Sequence, residues 1–388
     1  MSLASFEAAL PALLADVARL VRVESPSADL AAVAESADAV ARVGAELLGD
    51  QPEWIELDGR THLRWRLGRG SRRVLVLGHH DTVWPIGSLA RHPFEVRDGV
   101  LRGPGCLDMK AGLVMAFRAV AALDDADGVT LLVTGDEELG SPSSRELIEE
   151  EARGCRAALV LESADDSGAL KTERKGVSLY EVLLHGRAAH AGLAPEQGVN
   201  ATIEAAHQVL AVARLGDPAA GTTVTATRME SGTTSNTVAA SGRFAVDVRV
   251  RDAAEQQRVD SAMRALHPVL DGAGVEVTGG PNRPPLSADA SAALLERAVR
   301  LADRFGLGPV TGTAVGGASD GNFTAGVGTP TLDGLGAVGG GAHADDEHAL
   351  VAELPRRTAL LAVLLGDLLA EPAADGPPAM ATAEGGRP

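Results

Sequence analysis

The chain contains few cysteines, few aromatic residues and no long apolar run. Cys106 and Cys155 are its two cysteines, and they fit neither a disulfide framework nor a thiolate metal site. Aromatic residues make up 3% of the chain, so valine, leucine and alanine must build the core. No run approaches the roughly 18 apolar residues that cross a bilayer, and no basic segment followed by an apolar one begins the chain. We therefore expect a cytoplasmic protein without a membrane partner.

Basic side chains are also scarce relative to acidic ones. Lysine and arginine total 35 against 53 aspartates and glutamates, which gives a net charge of -18 at pH 7. This excess of negative charge argues against a nucleic-acid partner. It is compatible with cation binding, although a solvated acidic surface is the commoner cause. A length of 388 residues, of which 45% are hydrophobic, predicts two domains with ample core.

Metal-competent side chains follow the first strongly apolar stretch. Residues 74–77 form an apolar run rich in β-branched residues, which predicts a buried strand, and Gly78-His79-His80-Asp81-Thr82 comes directly after it. In extended backbone His79 and Asp81 point to the same side. One can then bind a metal while the other accepts the remaining imidazole N–H. A His-x-Asp triplet also occurs in ordinary surface turns, so this motif alone leaves both readings open.

Acidic residues recur where later elements of the predicted sheet begin or end. A glycine-rich loop brings Asp108 to the start of a helix, where an aspartate commonly serves as N-cap. The apolar strand 129–134 runs into Asp136-Glu137-Glu138, three acids that repel one another unless a cation or water screens them. The strand 157–161 is followed by Glu162. Because ligands bind beyond the carboxyl ends of strands in open α/β sheets, we expect these acids to meet.

The second half of the chain inserts a different kind of domain. From residue 175 the pattern has a β-α-β-β-α-β order, which is typical of a ferredoxin-like α+β unit. Pro284-Pro285 marks the return to the first domain. We predict a catalytic domain at 1–174 and 285–370 and an insert at 175–284. The Pro/Ala/Gly-rich tail 371–388 is predicted to be disordered.

Five residues form a ligand set of the histidine and carboxylate type, which suits zinc or cobalt. They are His79, Asp108, Glu138, Glu162 and His343. An aspartate can bridge two ions, which leaves two ligands for each. Two ions about 3.5–4 Å apart can hold and activate one water. Glu137, adjacent to a ligand, is then the natural general base.

These residues lie in motifs that resemble the M20 metallopeptidase family, and most closely its glutamate carboxypeptidase (carboxypeptidase G2-type) branch. The resemblance extends from Ser25-Pro26 to the final helix. The motifs that carry it are His79-x-Asp81-Thr82-Val83, Gly103-Pro104-Gly105-x-x-Asp108-x-Lys110, Asp136-Glu137-Glu138-x-Gly140-Ser141, Glu162, His190-Ala191-Gly192 and Gly341-Ala342-His343.

The resemblance implies a zinc-dependent exopeptidase-like α/β/α catalytic domain with a ferredoxin-like lid that dimerises. It assigns His79 and Glu162 to one Zn²⁺ and Glu138 and His343 to the other, with Asp108 as the bridge. Cobalt or manganese are possible substitutes. It also implies that Asp81 supports His79, that Glu137 carries the proton to the leaving nitrogen, and that the Asp108–Met109 peptide is cis.

The resemblance further assigns three lid residues to the substrate. His190 reaches the active site of the partner subunit and polarises the scissile carbonyl, as an oxyanion donor does. Asn236 and Arg283 grip the substrate carboxylate, which a guanidinium can bind with two hydrogen bonds. The ordinary alternatives are a loop histidine and a hinge-region surface charge. Further residues predicted to line the cleft are Arg249, Asp320 and Gly317.

Other polar residues are predicted to have no catalytic role. His80, His92, His185 and His207 are interpreted as packing or surface histidines, and residues 345–348 as a solvated approach to the last helix. Two departures from the branch stand out. Met109 follows the bridging aspartate where the branch carries a second aspartate, and Arg174-Lys175-Gly176 replaces a neutral stretch, which leaves substrate choice open.

The sequence thus predicts a di-zinc hydrolase that releases the C-terminal amino acid of a peptidyl- or N-acyl-amino acid, a small-molecule substrate, and works as a homodimer. One alternative is a deacylase of the acetylornithine or succinyl-diaminopimelate kind. Another is a catalytically silent binding protein on the same fold. A purely structural metal is disfavoured, because structural zinc sites are usually rich in thiolates.

Overall fold

Two large sheets organise the chain in the computed structural model, which describes residues 2–69 and 74–371. The strands are β1 (Glu53–Leu57), β2 (Arg60–Arg66), β3 (Val74–His79), β4 (Glu95–Arg97), β5 (Val100–Arg102), β6 (Val129–Thr134), β7 (Ala157–Val160), β8 (Leu170–Arg174), β9 (Gly176–His185), β10 (Thr223–Ser231), β11 (Ser241–Val250), β12 (Gly274–Arg283), β13 (Gly312–Val315), β14 (Thr331–Leu332), β15 (Gly339–Gly340) and β16 (His348–Leu350). The helices are α1 (Leu3–Ala8), α2 (Leu10–Val21), α3 (Leu30–Leu48), α4 (Ala111–Ala121), α5 (Arg145–Ala152), α6 (Ala201–Ala213), α7 (Ala253–Arg264), α8 (Ala288–Arg304), α9 (Gly321–Gly326) and α10 (Glu353–Ala370).

The larger sheet has the order β1-β2-β6-β3-β7-β14, and its last four strands run parallel. All six residues of β3 are buried. Val74 and Val76 pack into a core shared with α2, α3, α4, α8 and α10, whereas Leu75 and Leu77 pack with side chains of α5 and α9. A parallel strand covered on both faces reads as a continuous apolar run, which is why the sequence predicted it. The predicted α/β fold is confirmed.

The second sheet has the order β10-β11-β9-β12, with every neighbour antiparallel. Helices α6 and α7 pack on it around a separate core that includes Tyr180, Phe244 and Met263. The chain order β9-α6-β10-β11-α7-β12 is the ferredoxin-like order that the sequence predicted. Strand β12 extends well beyond the short apolar segment at residues 275–277. Its pairing with β9 continues through Gly279, Gly280 and Pro281. These residues show no alternation of apolar and polar side chains from which a strand could be predicted.

The two chain segments that connect the larger sheet's domain with the second sheet lie side by side. Arg174 and Leu286 each donate a backbone N–H to the carbonyl of the other, at 3.0 Å. From the larger sheet's side, the Asn322 amide donates to the carbonyls of Lys175 and Pro284. The predicted domain boundaries lie at these crossings and stay a prediction, while the predicted disordered tail lies outside the described residues except for Glu371. Among the described residues, no helix has the length and apolarity to cross a membrane.

Candidate metal centre

The five predicted ligands come together at the carboxyl edge of the larger sheet. His79 is the last residue of β3, Glu162 lies two residues beyond β7, and Glu138 follows β6. Asp108 precedes α4 on a segment that contains a cis peptide to Met109, as expected. His343 lies in the loop between β15 and β16 with a positive φ of 64°.

The Asp108 carboxylate lies at the centre of the group. Its Oδ1 is 3.2 Å from Nε2 of His79, and its Oδ2 is 3.2 Å from Nε2 of His343. The same nitrogen of His343 is 3.1 Å from a Glu138 oxygen, and that of His79 is 3.8 Å from a Glu162 oxygen. Each carboxylate oxygen of Asp108 thus faces a different histidine, as a bridging ligand requires.

The donor set fits divalent cations. Ligand atoms of His79, Asp108 and Glu138 lie within 4.8 Å of one another, and so do those of His79, Glu137 and Glu162. The Oε1 atom of Glu138 is buried without a hydrogen-bond partner, which is a costly state for a carboxylate oxygen unless a cation satisfies it. Imidazole nitrogens and carboxylate oxygens without thiolates are typical of catalytic rather than structural zinc sites.

Hydrogen bonds, burial and neighbouring charges shift the pKa values of His343, His79 and Glu162. Hydrogen bonds to Asp108 and Glu138 raise the pKa of His343 to about 10. Burial opposes the charged form of His79, but its hydrogen bonds to Asp108 and Asp81 raise its pKa well above the ordinary value. Burial and the charge of Asp108 raise the pKa of Glu162 to about 7. A cation bound here would replace the protons that the carboxylates otherwise hold on the imidazoles.

Asp81 is fully buried and fixes the segment that carries the predicted base. Its Oδ1 accepts the Glu137 N–H and its Oδ2 accepts the Glu138 N–H, both at 3.2 Å, while the Ser27 hydroxyl donates to Oδ2 at 2.5 Å. Nδ1 of His79 lies 2.9 Å from the carbonyl oxygen of Asp81 and 3.4 Å from its carboxylate. With its proton on Nδ1, His79 presents a free Nε2 to a cation.

Glu137 and Arg283 form an ion pair between the two sheets. Nη2 of Arg283, at the end of β12, lies 2.8 Å from Oε1 of Glu137 and 3.0 Å from both Ser141 Oγ and Asp320 Oδ1. Burial raises the pKa of Glu137 well above its usual range, although Arg283 opposes this shift. Arg283 is only 7% exposed. Its predicted contact with a substrate carboxylate stays a prediction.

His190 and Asn236 lie together on exposed loops of the second sheet, with the Ala191 N–H donating to the Asn236 carbonyl at 2.9 Å. The backbone N–H groups of Gly192 and Leu193 donate to Nδ1 of His190, each at 3.2 Å. The neutral ring therefore carries its proton on Nε2 as a free donor. Among the described residues, no hydrogen bond or ion pair joins the His190 ring to the five ligands.

The remaining predicted cleft residues separate. Asp320 joins Arg283, as described above. The guanidinium of Arg249 instead pairs with Asp247 at 2.8 Å, within the second sheet. The Gly317 carbonyl accepts from Arg174, whose guanidinium also lies 3.6 Å from a Glu162 oxygen.

Two acidic residues differ from what the sequence suggested. Asp136, the first of the three consecutive acids, turns away and accepts the hydroxyls of Ser143 and Ser144. The prediction of a solvated segment at 345–348 is wrong for Glu347, which is 3% exposed and accepts N–H groups of the Asp108 loop. Residues 345–348 are too few and too uniformly polar for a hydrophobic pattern to indicate that Glu347 is buried. Its place directly before β16, a strand paired with β5, is the one available signal.

A family model for "Peptidase family M20/M25/M40" matches residues 75–367. The chain belongs to this family. This M20 protein is therefore a hydrolase of a metal-dependent family, and the clustered histidines and carboxylates described above are its candidate metal ligands.

Relatives of this M20 protein include two kinds of hydrolase. Carboxypeptidase G2 of Pseudomonas sp. (strain RS-16) is 34% identical over 315 residues, which cover 78% of this chain and 75% of the relative. Succinyl-diaminopimelate desuccinylase of Methylorubrum extorquens (strain PA1) is 29% identical over 325 residues, or 76% and 82% of the two chains. An M20 family metallo-carboxypeptidase of Sulfolobus solfataricus has the same fold, with a TM-score of 0.74 at 16% identity over 92% of this chain and 99% of the other.

Metal binding to this M20 protein should release protons. Because the pKa values of His79 and His343 are raised, both imidazoles are protonated at neutral pH before a cation binds. Lowering the pH favours these protonated forms, so the apparent zinc affinity should fall by about tenfold per pH unit for each proton displaced. Calorimetric titrations between pH 6 and 7.5, in buffers of different ionisation enthalpy, measure the proton count. Binding that is independent of pH and releases no protons would contradict this assignment.

Proposed function

We propose that this protein is a di-zinc hydrolase that releases the C-terminal amino acid from a peptidyl- or N-acyl-amino acid. The observation that carries the proposal is the Asp108 carboxylate, with one oxygen toward each of two histidines and Glu137 nearby. In the proposed centre, His79 and Glu162 hold one ion and Glu138 and His343 the other, with Asp108 as the bridge. The 34% identity with carboxypeptidase G2 favours this reaction class.

Glu137 is proposed as the general base. Two zinc ions, when bound, would supply Lewis acidity that lowers the pKa of a water and polarises the scissile carbonyl. Glu137 accepts the proton of that water at its carboxylate and then delivers it to the leaving nitrogen. Burial raises its pKa, which makes the proton easier to hold between these two steps. Asp81 keeps the carboxylate in place by holding the Glu137 backbone N–H.

His190 is proposed to stabilise the oxyanion in the active site of the partner subunit. The amides on its Nδ1 fix a proton on Nε2, which is the form that can donate to a developing negative charge. A homodimer is supported by the outer surface of the second sheet. Ile203 and Leu210 of α6 are 49% and 61% exposed, and β10 forms one edge of that sheet.

Asn236 and Arg283 are proposed to bind the substrate carboxylate. Asn236 is exposed beside His190, so both side chains would act on the same substrate. Arg283 already lies against Glu137, and its planar guanidinium suits a carboxylate. We further propose a cytoplasmic location with neither nucleic acid nor membrane as partner. The net charge of -18 supports the second part, because it disfavours binding to nucleic acid or an anionic membrane.

A second candidate is the removal of a succinyl group from an amino-acid nitrogen. The 29% identity with a succinyl-diaminopimelate desuccinylase over 76% of the chain favours it. The same ligands and the same base would serve, because both reactions hydrolyse the amide bond between an acyl group and a nitrogen of an amino acid. The two candidates differ in the acyl group that the cleft accepts.

A substrate panel tests the proposal. The zinc-loaded protein is incubated with peptidyl-, benzoyl-, acetyl- and succinyl-amino acids, and free amino acid is measured. We expect selective release of one amino acid from peptidyl or aroyl substrates, and release from succinyl substrates alone would favour the second candidate. Glu137→Gln should lower kcat by about 10²–10⁴-fold, because it removes the proton acceptor. Glu150→Gln, an exposed site on α5, is the control.

Two outcomes would count against the proposal. A fall of less than about tenfold in Glu137→Gln would exclude Glu137 as the base, since general-base catalysis typically contributes more. No release from any substrate, by a protein with two zinc ions bound, would favour a catalytically silent binding protein.

Mixing two inactive variants tests the role of His190. If His190 acts across a two-fold dimer, a His190→Ala chain paired with a Glu137→Gln chain contains one site with both residues intact. Random exchange of subunits should then restore about a quarter of the wild-type activity, because half of the dimers are mixed and each has one such site. Activity equal to the sum of the two separate variants would show that His190 does not act in the partner's site.

A further inference from the structure

Glu347 has a carboxylate that is held by four donors from two distant segments. Its Oε2 accepts the indole N–H of Trp84 at 2.6 Å and the backbone N–H of Gly105 at 2.9 Å. Its Oε1 accepts the backbone N–H groups of Leu107 at 2.8 Å and Asp108 at 3.1 Å. Both oxygens are therefore fully used, and three of the four donors belong to the loop that carries the proposed bridging ligand.

Fixed N–H groups, rather than a basic side chain, hold the carboxylate of Glu347. Within residues 2–69 and 74–371, no lysine, arginine or histidine forms an ion pair with Glu347. A buried carboxylate is costly, and here fixed N–H donors compensate for the lost water. Backbone N–H groups stabilise a charge only when they point at it, so these contacts constrain the backbone of residues 105–108. A salt bridge to a mobile lysine side chain would not impose that constraint.

The position of Glu347 connects the segments that carry three of the proposed metal ligands. It lies four residues after His343 and directly before β16, whose His348 pairs with Arg102 at the end of β5. The loop of Asp108 begins directly after β5. Trp84 lies five residues beyond His79. One carboxylate thus links the segment after β3, the loop before α4 and the loop that carries His343.

We propose that Glu347 is a positioning residue for the metal centre. By holding the Asp108 backbone N–H next to the loop of His343, it keeps the two Asp108 oxygens aimed at the two histidines. It contacts neither the cations nor the substrate. The inference rests on the proposed metal centre but not on the substrate or the reaction assigned to it.

Glu347→Gln tests this role with little change of shape. The amide replaces one acceptor oxygen by an NH₂ group, which then faces two N–H donors in either orientation of the side chain. Two contacts are lost, and in either orientation at least one of them is with the loop of Asp108, which is then held less firmly. Loss of a residue that orients metal ligands typically lowers metal affinity by 10–100-fold, and we expect a loss of about this size for at least one of the two ions.

The measurement is the zinc affinity and stoichiometry of the full-length protein, by competition with a chromophoric chelator. Glu204→Gln is the matched control, because Glu204 is also fully buried and accepts the backbone N–H groups of Val269 and Leu270, but in the second sheet's domain. It should lower thermal stability and leave zinc affinity within about twofold of wild type. Equal zinc affinity in folded Glu347→Gln and wild type would overturn the proposal.

A milder variant decides the matter if Glu347→Gln does not fold. Trp84→Phe removes one of the four donors and keeps an aromatic side chain, so it should weaken zinc binding in the same direction by a smaller factor. Unchanged zinc affinity in folded Trp84→Phe would then overturn the proposal. If Glu347→Gln loses zinc while the wild type binds two ions but hydrolyses no substrate, the positioning role stands and the proposed hydrolase function fails.

Discussion

The mutual repulsion of carboxylates at one edge of a sheet is the constraint on which the candidate metal centre depends. Asp108, Glu137, Glu138 and Glu162 all lie there, and their positive neighbours are His79, His343, Arg283 and Arg174. Asp108 lies between the two histidines and contacts both rings. Divalent cations would reduce the repulsion between these carboxylates more than protons do, because one cation can bind several carboxylate oxygens at once.

The sheet supplies three of the five proposed ligands, and two further carboxylates hold backbone groups beside them. Parallel strands β3, β6 and β7 end at the same edge, which brings His79, Glu138 and Glu162 together. Loops alone would leave these side chains mobile. Asp81 holds the backbone at Glu137 and Glu138, and Glu347 holds it at Asp108. The fixed geometry of the proposed centre therefore depends on buried acids that do not bind metal themselves.

The sequence predicted what local patterns encode. Buried parallel strands appear as apolar runs, and acids that follow such runs are conspicuous. The strands β3, β6 and β7 and the candidate ligands that follow them could therefore be predicted from the sequence. Glu347 was not, because its backbone partners lie 239–242 residues away and carry no side-chain signal. The pairing of Arg283 with Glu137, 146 residues apart, likewise depends on how the two sheets meet. The proposed role of His190 involves a second chain, and only the resemblance of its motif to the family suggested it.

Anomalous X-ray diffraction from zinc-loaded crystals would show whether two cations share the Asp108 carboxylate. We expect two peaks per chain about 3.5–4 Å apart, with one Asp108 oxygen near each. His79 and Glu162 should bind one ion, and Glu138 and His343 the other. A single peak, or two peaks that do not share Asp108, would contradict a bridged pair of cations.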